Sequence, residues 1–203
     1  MKYLIVFVIS YLLGTSNMAY YISRRKGVDF KKHGSKNLGA SNATMLLGWR
    51  AGILVGAHDI GKALLAVGLT HLLFPGLACG GAVAGVAAVL GHIFPFYLHF
   101  SGGKGLAPFI GMALALNWKL ALLELAVAVI LVLITDYMVA GTTTMILGMP
   151  AAMFFQSHNL MLVCILLTAT AVVIYKHRDN YVRIAKGTEI RFRGASKGDH
   201  RIQ

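Results

Sequence analysis

Gly91-His-Ile-Phe-Pro-Phe-Tyr-Leu-His-Phe-Ser-Gly-Gly-Lys-Gly105 closes one long apolar run, residues 77–100, and opens another, residues 105–117. How this junction is read decides the fold. Its Gly-Gly-Lys-Gly end exposes backbone N–H groups without Cβ obstruction and sets one ammonium beside them. It then runs straight into a new apolar helix, whose N-terminal dipole adds partial positive charge. The junction reads as an anion site at a membrane surface, and phosphate is its natural occupant.

Outward from this junction the chain stays apolar. Of 203 residues, 57% are hydrophobic and 13% charged, with a mean hydropathy of +0.70. A soluble domain would carry about 25% charged residues. The apolar surface therefore faces lipid, and the expected fold is all-α and polytopic in the membrane. Runs long enough to span, given the roughly 20 residues a bilayer needs, lie near 3–22, 52–74, 77–100, 118–136 and 158–175. Two shorter runs, 105–117 and 143–156, suit a thinned bilayer, a re-entrant segment, or a helix sheltered by its neighbours. Counting both gives about seven transmembrane helices in one integral membrane domain over residues 1–203, ending in a basic segment, 176–203.

The net charge is +12, and its placement gives the orientation. Of the 19 Lys and Arg, seven lie between Arg24 and Arg50 and eight between Lys176 and Arg201. This is the positive-inside pattern. It makes anionic lipid headgroups and anionic substrates the expected partners, rather than nucleic acid. An outside N-terminus and a cytosolic C-terminus require an odd number of crossings, which seven and five both satisfy. With seven, residues 23–51, 101–105, 137–142 and the tail from 176 share the cytosolic face. Exterior turns at Pro75-Gly76, Asn117 and Gln156–Asn159 are too short to host chemistry. Lys2 alone precedes the first run and no Ala-x-Ala site follows it, so that run is expected to remain as a span. Cys79 and Cys164 have no Cys or His in ligand spacing, so no disulfide, metal or cofactor is expected.

Three further clusters carry polar chemistry. His33-Gly-Ser-Lys-Asn-Leu-Gly-Ala-Ser-Asn42 suits a folded loop presenting Ser35, Asn37 and Asn42 to a polar ligand, with a solvated linker as the plainer reading. Asp59 and Lys62 stand at i and i+3 inside an apolar span. At that depth each costs on the order of 3 kcal/mol, so they pair with one another or support a site. Tyr175-Lys-His-Arg-Asp-Asn180 leaves the last span with His177 and Asn180 on one helical face, Arg178 and Arg183 beside them, and Gly187-Thr-Glu189 beyond. Histidine can take a hydroxyl proton near neutral pH while Asn and Arg orient an anion. The Gly102–Gly105 turn lacks nucleotide P-loop spacing, since Gly105 stands where Ser or Thr would hold magnesium. An interfacial turn with a snorkelling Lys104 is its plainer reading.

In this order the clusters resemble the bacterial acyl-phosphate:glycerol-3-phosphate acyltransferase family, over nearly the whole chain. The resemblance rests on Gly34-Ser-Lys-Asn37 with Gly39-Ala-Ser-Asn42, Asp59 with Lys62, Gly91-His-x-Phe-Pro95 with Gly102-Gly-Lys-Gly105, and His177-Arg-x-Asn180 with Gly187-Thr-Glu189. It implies seven transmembrane helices in a bacterial inner or plasma membrane, with a cytosolic-face site. It also implies acyl transfer from acyl phosphate to the 1-hydroxyl of glycerol 3-phosphate, giving lysophosphatidic acid and phosphate, with no cofactor. An acyl-phosphate-forming enzyme is then an expected supplier. By the same resemblance Ser35, Lys104, His177 and Asn180 are the expected polar site residues. Gly102, Gly103 and Gly105 would form the phosphate-binding turn, with Asn37, Asn42, Thr142 and Arg178 as further substrate contacts and Asp59 and Lys62 in support. The hydroxyl proton would leave through His177 or through a substrate phosphate oxygen.

The chain departs from the family pattern at Met45 and Asp136, where arginines are usual, at Val139, where a serine is usual, and at Pro108, where Thr is common; Thr142 keeps a hydroxyl. A lost charge-assisted contact costs about 1.5–3 kcal/mol. The consequence would be a slower enzyme, a changed substrate, or a paralogue that binds without turnover. Arg50, Lys36 and Arg178 are the candidates to replace the missing charge. The rival class, a small-anion transporter using Asp59–Lys62, needs a polar route to both faces. The clusters supply one face only.

Overall fold

A computed structural model describes residues 1–193; the basic residues 194–203 lie outside the described part. The described chain is helical: α1 (Lys2–Thr15), α2 (Met18–Lys26), α3 (Ala40–Leu47), α4 (Trp49–Leu73), α5 (Gly80–Ile93), α6 (Leu106–Leu116), α7 (Trp118–Thr135), α8 (Met138–Ser157) and α9 (Leu160–Ala185). Six helical segments are long and apolar enough to cross a membrane, with α1–α2 counted as one, and α6 is a shorter apolar helix. The sequence expects seven; α6, 11 residues long, is shorter than the spanning helices.

α5 is the central element. Of its apolar window 72% is buried, against 17% for α7, so α5 is wrapped by protein while α7 faces lipid. Small residues let the backbones close up. A Cβ on Gly14 would strike the Ala88 backbone, and one on Gly91 would strike the Tyr11 carbonyl. Larger side chains fill the other side of α5, where Ile93, Phe109, Met112, Met145, Ile146, Met149, Leu166 and Val173 are buried together. Pro150 cannot donate to the Ile146 carbonyl four residues back. The Thr170 hydroxyl of α9 donates to that carbonyl at 2.6 Å and repairs the loss.

The structure moves three boundaries. The first span breaks at Ser16-Asn17, where the Asn17 side chain accepts from the Tyr20 N–H at 2.9 Å and caps α2. The expected loop 137–142 shrinks to Asp136–Tyr137, and the short run 143–156 becomes the membrane-length α8. Its polar start is helical because the hydroxyls of Thr142, Thr143 and Thr144 donate to the carbonyls of Met138, Val139 and Ala140, four residues back. The last span continues past the expected 175 to Ala185, beyond the apolar stretch. Alternation of these helices brings residues 27–48, 99–105, 136–137 and 186–193 to one end of the bundle.

Candidate functional site

The α5–α6 turn is built by packing. The Gly102 N–H donates to the Ile93 carbonyl at 3.0 Å and the Gly103 N–H to the His92 carbonyl at 3.2 Å. These two amides close the turn and are not free for an anion, which corrects the simplest sequence reading of the glycines. Their missing side chains matter more. A Cβ on Gly103 would collide with the His92 ring and come 2.7 Å from the Leu38 carbonyl. Gly103 is thus where the turn meets the loop 33–42. Gly105, at φ 96°, caps α6 in the left-handed region.

Lys104 leaves this turn toward α9, and its Nζ donates to Asn180 Oδ1 at 2.5 Å. Asn180 Nδ2 in turn donates to Glu189 Oε1 at 2.6 Å, and Arg183 Nε donates to Glu189 Oε2 at 2.6 Å. The chain reverses at Gly187, with Thr188 N–H returning to the Arg183 carbonyl, and this brings Glu189 back onto α9. Burial holds the Lys104 amine below the usual lysine range; Arg183 lowers it further and Glu189 opposes. One turn before Asn180 on the same face, buried His177 donates from Nδ1 to the Val173 carbonyl at 2.9 Å. Its Nε2 is therefore the nitrogen left to accept a proton.

The loop before α3 is organised by Asn42, which is wholly buried. Its Nδ2 donates to the carbonyls of Phe30, Asn37 and His33 at 2.9, 3.0 and 3.2 Å, and its Oδ1 accepts from the Ser35 N–H at 2.8 Å. Asn42 thus spends its polar capacity holding the loop. Ser35 and Asn37 are half-buried at its edge, and among the described residues the Ser35 hydroxyl makes no hydrogen bond.

Asp59 and Lys62 do pair, at 2.8 Å, in the bundle interior. Lys62 Nζ also donates to the Ser16 carbonyl at 2.6 Å and to His92 Nδ1 at 2.9 Å. The ammonium therefore satisfies a carbonyl freed by the break between α1 and α2, and it fixes the His92 ring that packs against Gly103. Nearby, the Tyr97 hydroxyl donates to the Thr15 carbonyl at 2.8 Å.

Two expected site residues lie apart from this cluster. Arg178 is exposed on another face of α9, donating to the Tyr175 carbonyl at 3.0 Å and stacked 4.1 Å from the Tyr175 ring centre. Thr142 lines an apolar cavity of about 220 Å³ with Leu106, Ile110, Leu125, Val132 and Met145. Leu106, one of its lining residues, follows Lys104 by two residues in sequence. Arg50 is exposed beside the Trp49 ring, and Lys36 is exposed as well. The positive charge that acts on Lys104 comes from Arg183, with Lys176 adding to it. Sequence reasoning quoted His92 and Glu189 within motifs without giving either a place in the site. A polar residue inside each quoted motif was the available signal.

Fold and site together define a multi-pass α-helical membrane protein whose polar groups converge at one end of the bundle. The motif order narrows that class further. The chain belongs to the glycerol-3-phosphate acyltransferase family, whose sequence profile matches residues 4–187. It is 33% identical over 191 residues to glycerol-3-phosphate acyltransferase 1 of Oceanobacillus iheyensis, covering 91% of this chain and 92% of that one. It is 36% identical over 193 residues to the glycerol-3-phosphate acyltransferase of Clostridioides difficile, covering 93% and 94%. Among solved structures it resembles PlsY, an integral membrane glycerol 3-phosphate acyltransferase, in its glycerol 3-phosphate form. The TM-score there is 0.89 at 30% identity, over 95% of this chain and 96% of that one. The lysophosphatidic acid form of the same enzyme gives 0.87 at 29% identity, over 97% and 100%.

Proposed function

We propose that this protein transfers a fatty acyl group from an acyl phosphate to the 1-hydroxyl of glycerol 3-phosphate, at the cytosolic face of a bacterial plasma membrane. The observation that carries the reading is the position of Lys104: hydrogen-bonded to Asn180, with the charge of Arg183 acting on it and its own charge acting on His177, and two residues in sequence from Leu106, which lines an apolar cavity. An anion site next to an apolar cavity suits a molecule with a phosphate head and a hydrocarbon tail. The relatives named for glycerol 3-phosphate acylation, and the solved form holding lysophosphatidic acid, support the same acceptor and product here. The basic residues gathered at the site end support a cytosolic orientation.

In the reaction the acceptor hydroxyl oxygen attacks the acyl carbonyl carbon. A new C–O ester bond forms, the acyl carbon–phosphate oxygen bond breaks, and inorganic phosphate leaves with the electron pair. Lys104 holds donor phosphate and stabilises the charge that develops on it. Asn180 fixes the ammonium, Ser35 contributes a free hydroxyl toward the acceptor, and His177 Nε2 receives the proton. Arg183 supplies the second positive charge that Met45 does not.

The test is phosphate release from palmitoyl phosphate by the purified, detergent-solubilised protein, with and without glycerol 3-phosphate. Acceptor-dependent release that disappears in Lys104→Ala is the expected result. No release by folded protein overturns the donor, and release with a different polyol phosphate alone overturns the acceptor.

A further inference from the structure

We propose that Asp136 hooks the chain's C-terminal segment so that Phe192 roofs the apolar cavity beside Lys104, making Phe192 a positioning residue for the donor's acyl chain. This rests on the acyl-phosphate reading above. The structure gives Asp136 a use at the end of α7. The last carbonyls of a helix have no intrahelical partner. At the end of α7, Arg193 Nη2 donates to the Leu133 carbonyl at 2.7 Å, and the Phe192 N–H donates to the Asp136 carbonyl at 2.8 Å. The Asp136 side chain adds a third bond, Oδ1 accepting from the Arg193 N–H at 2.9 Å. An arginine at this position has no acceptor to offer. Asp136 also sits at φ 64°, a left-handed conformation that Asp tolerates better than most residues.

These bonds fix the backbone on both sides of Phe192, and its ring joins Leu106, Val132, Leu133, Met138 and Met145 in lining the cavity. Phe192 is 39% exposed, as suits a wall between the cavity and its surroundings rather than a core residue. The other lining residues belong to α6, α7 and α8, whereas Phe192 lies past α9 on the segment bonded to Leu133 and Asp136. Because Leu106 of the cavity follows Lys104 by two residues, the occupant is the hydrocarbon of the molecule whose phosphate that lysine holds. Without the ring, the first methylenes below the carbonyl lose one apolar wall.

The experiment is steady-state kinetics on the full chain with palmitoyl phosphate and octanoyl phosphate as donors and glycerol 3-phosphate as acceptor. Phe192→Ala and Asp136→Ala should each raise the donor KM about tenfold, equivalent to roughly two methylenes' worth of contact, with the acceptor KM within about twofold of wild type. Both donors should respond, because Phe192 lines the same cavity as Leu106, the lining residue closest in sequence to Lys104. Phe192→Leu and Asp136→Asn, which keep an apolar wall and an Oδ1 acceptor, should restore most of the loss. Donor KM values unmoved in folded variants overturn the inference, and so does a fall in kcat with both KM values unchanged, which marks general damage. A wild-type protein silent with both donors overturns the acyl-phosphate reading itself and this inference with it.

Discussion

Lys104 Nζ and Asn180 Oδ1 lie 2.5 Å apart although 76 residues separate them in the chain. That contact ties the turn entering α6 to the end of α9. Because Asn180 also donates to Glu189, the amide orientation is set: its oxygen faces the ammonium and its nitrogen the carboxylate. The site is thus a row of groups with fixed hydrogen-bond polarity, closed by Arg183 on Glu189. On the proposed reading, an incoming phosphate would meet an ammonium already partly desolvated and aimed, which would lower the reorganisation needed during reaction.

The pH response should carry the signature of that environment. Burial and Arg183 hold Lys104 below its usual value of 10.5, so the alkaline fall in donor binding is expected below that pH. Glu189→Gln removes the opposing negative charge and should move the alkaline limb to lower pH. Arg183→Gln should move it upward. Folded protein also binds fewer protons than unfolded protein between the depressed value and 10.5, so the Lys104 contribution to stability rises with pH across that window. A pH profile of kcat/KM for wild type and both variants checks the signs, and shifts in the same direction for both would contradict the assignment.

His177 presents Nε2 because Nδ1 is spent on the Val173 carbonyl. A positioned general base contributes about 10²–10⁴-fold, and His177→Ala is expected to lose turnover in that range with Lys104 still holding phosphate. Near-normal turnover in purified His177→Ala would instead assign the proton to a substrate phosphate oxygen.

The Asp59–Lys62 pair is expected to act as structural support. Removing either partner leaves the other buried charge without its ionic partner, a loss of up to about 3–5 kcal/mol. Lys62→Met additionally orphans the Ser16 carbonyl and frees the His92 ring. Both Asp59→Ala and Lys62→Met should lower the melting temperature in detergent well before any kinetic defect is read on the surviving folded fraction. Unchanged melting would mean that the pair does not hold the broken first span.

Gly103→Ala tests the junction of turn and loop. The added methyl meets the His92 ring and the Leu38 carbonyl, so Lys104 must shift. A displacement of about 1 Å can cost roughly 10²-fold in rate. The variant should keep wild-type helical content by circular dichroism while losing turnover on that scale.

The sequence by itself determined the class of fold, because a spanning helix announces itself through length and hydropathy alone. It also determined which end of the bundle is basic, and it drew attention to Lys104, His177 and the Asp59–Lys62 pair, since ionisable residues near or within apolar runs are costly, and to Asn180 through its place on the helical face of His177. Other features were local yet misread: Thr142 to Thr144 lower the hydropathy of α8 without ending it, because their hydroxyls bond back into the helix. What only the tertiary structure decided was partnership. That Lys62 fills a carbonyl freed at Ser16, that Asn42 holds its own loop, that Arg183 rather than Arg178 acts on Lys104, and that Asp136 grips Arg193 all depend on contacts between segments distant in sequence or on which way one helical face is turned. Hydropathy and charge order register how far a residue lies from water, but hydrogen bonds are directional and short. Their partners are fixed only once the helices have packed.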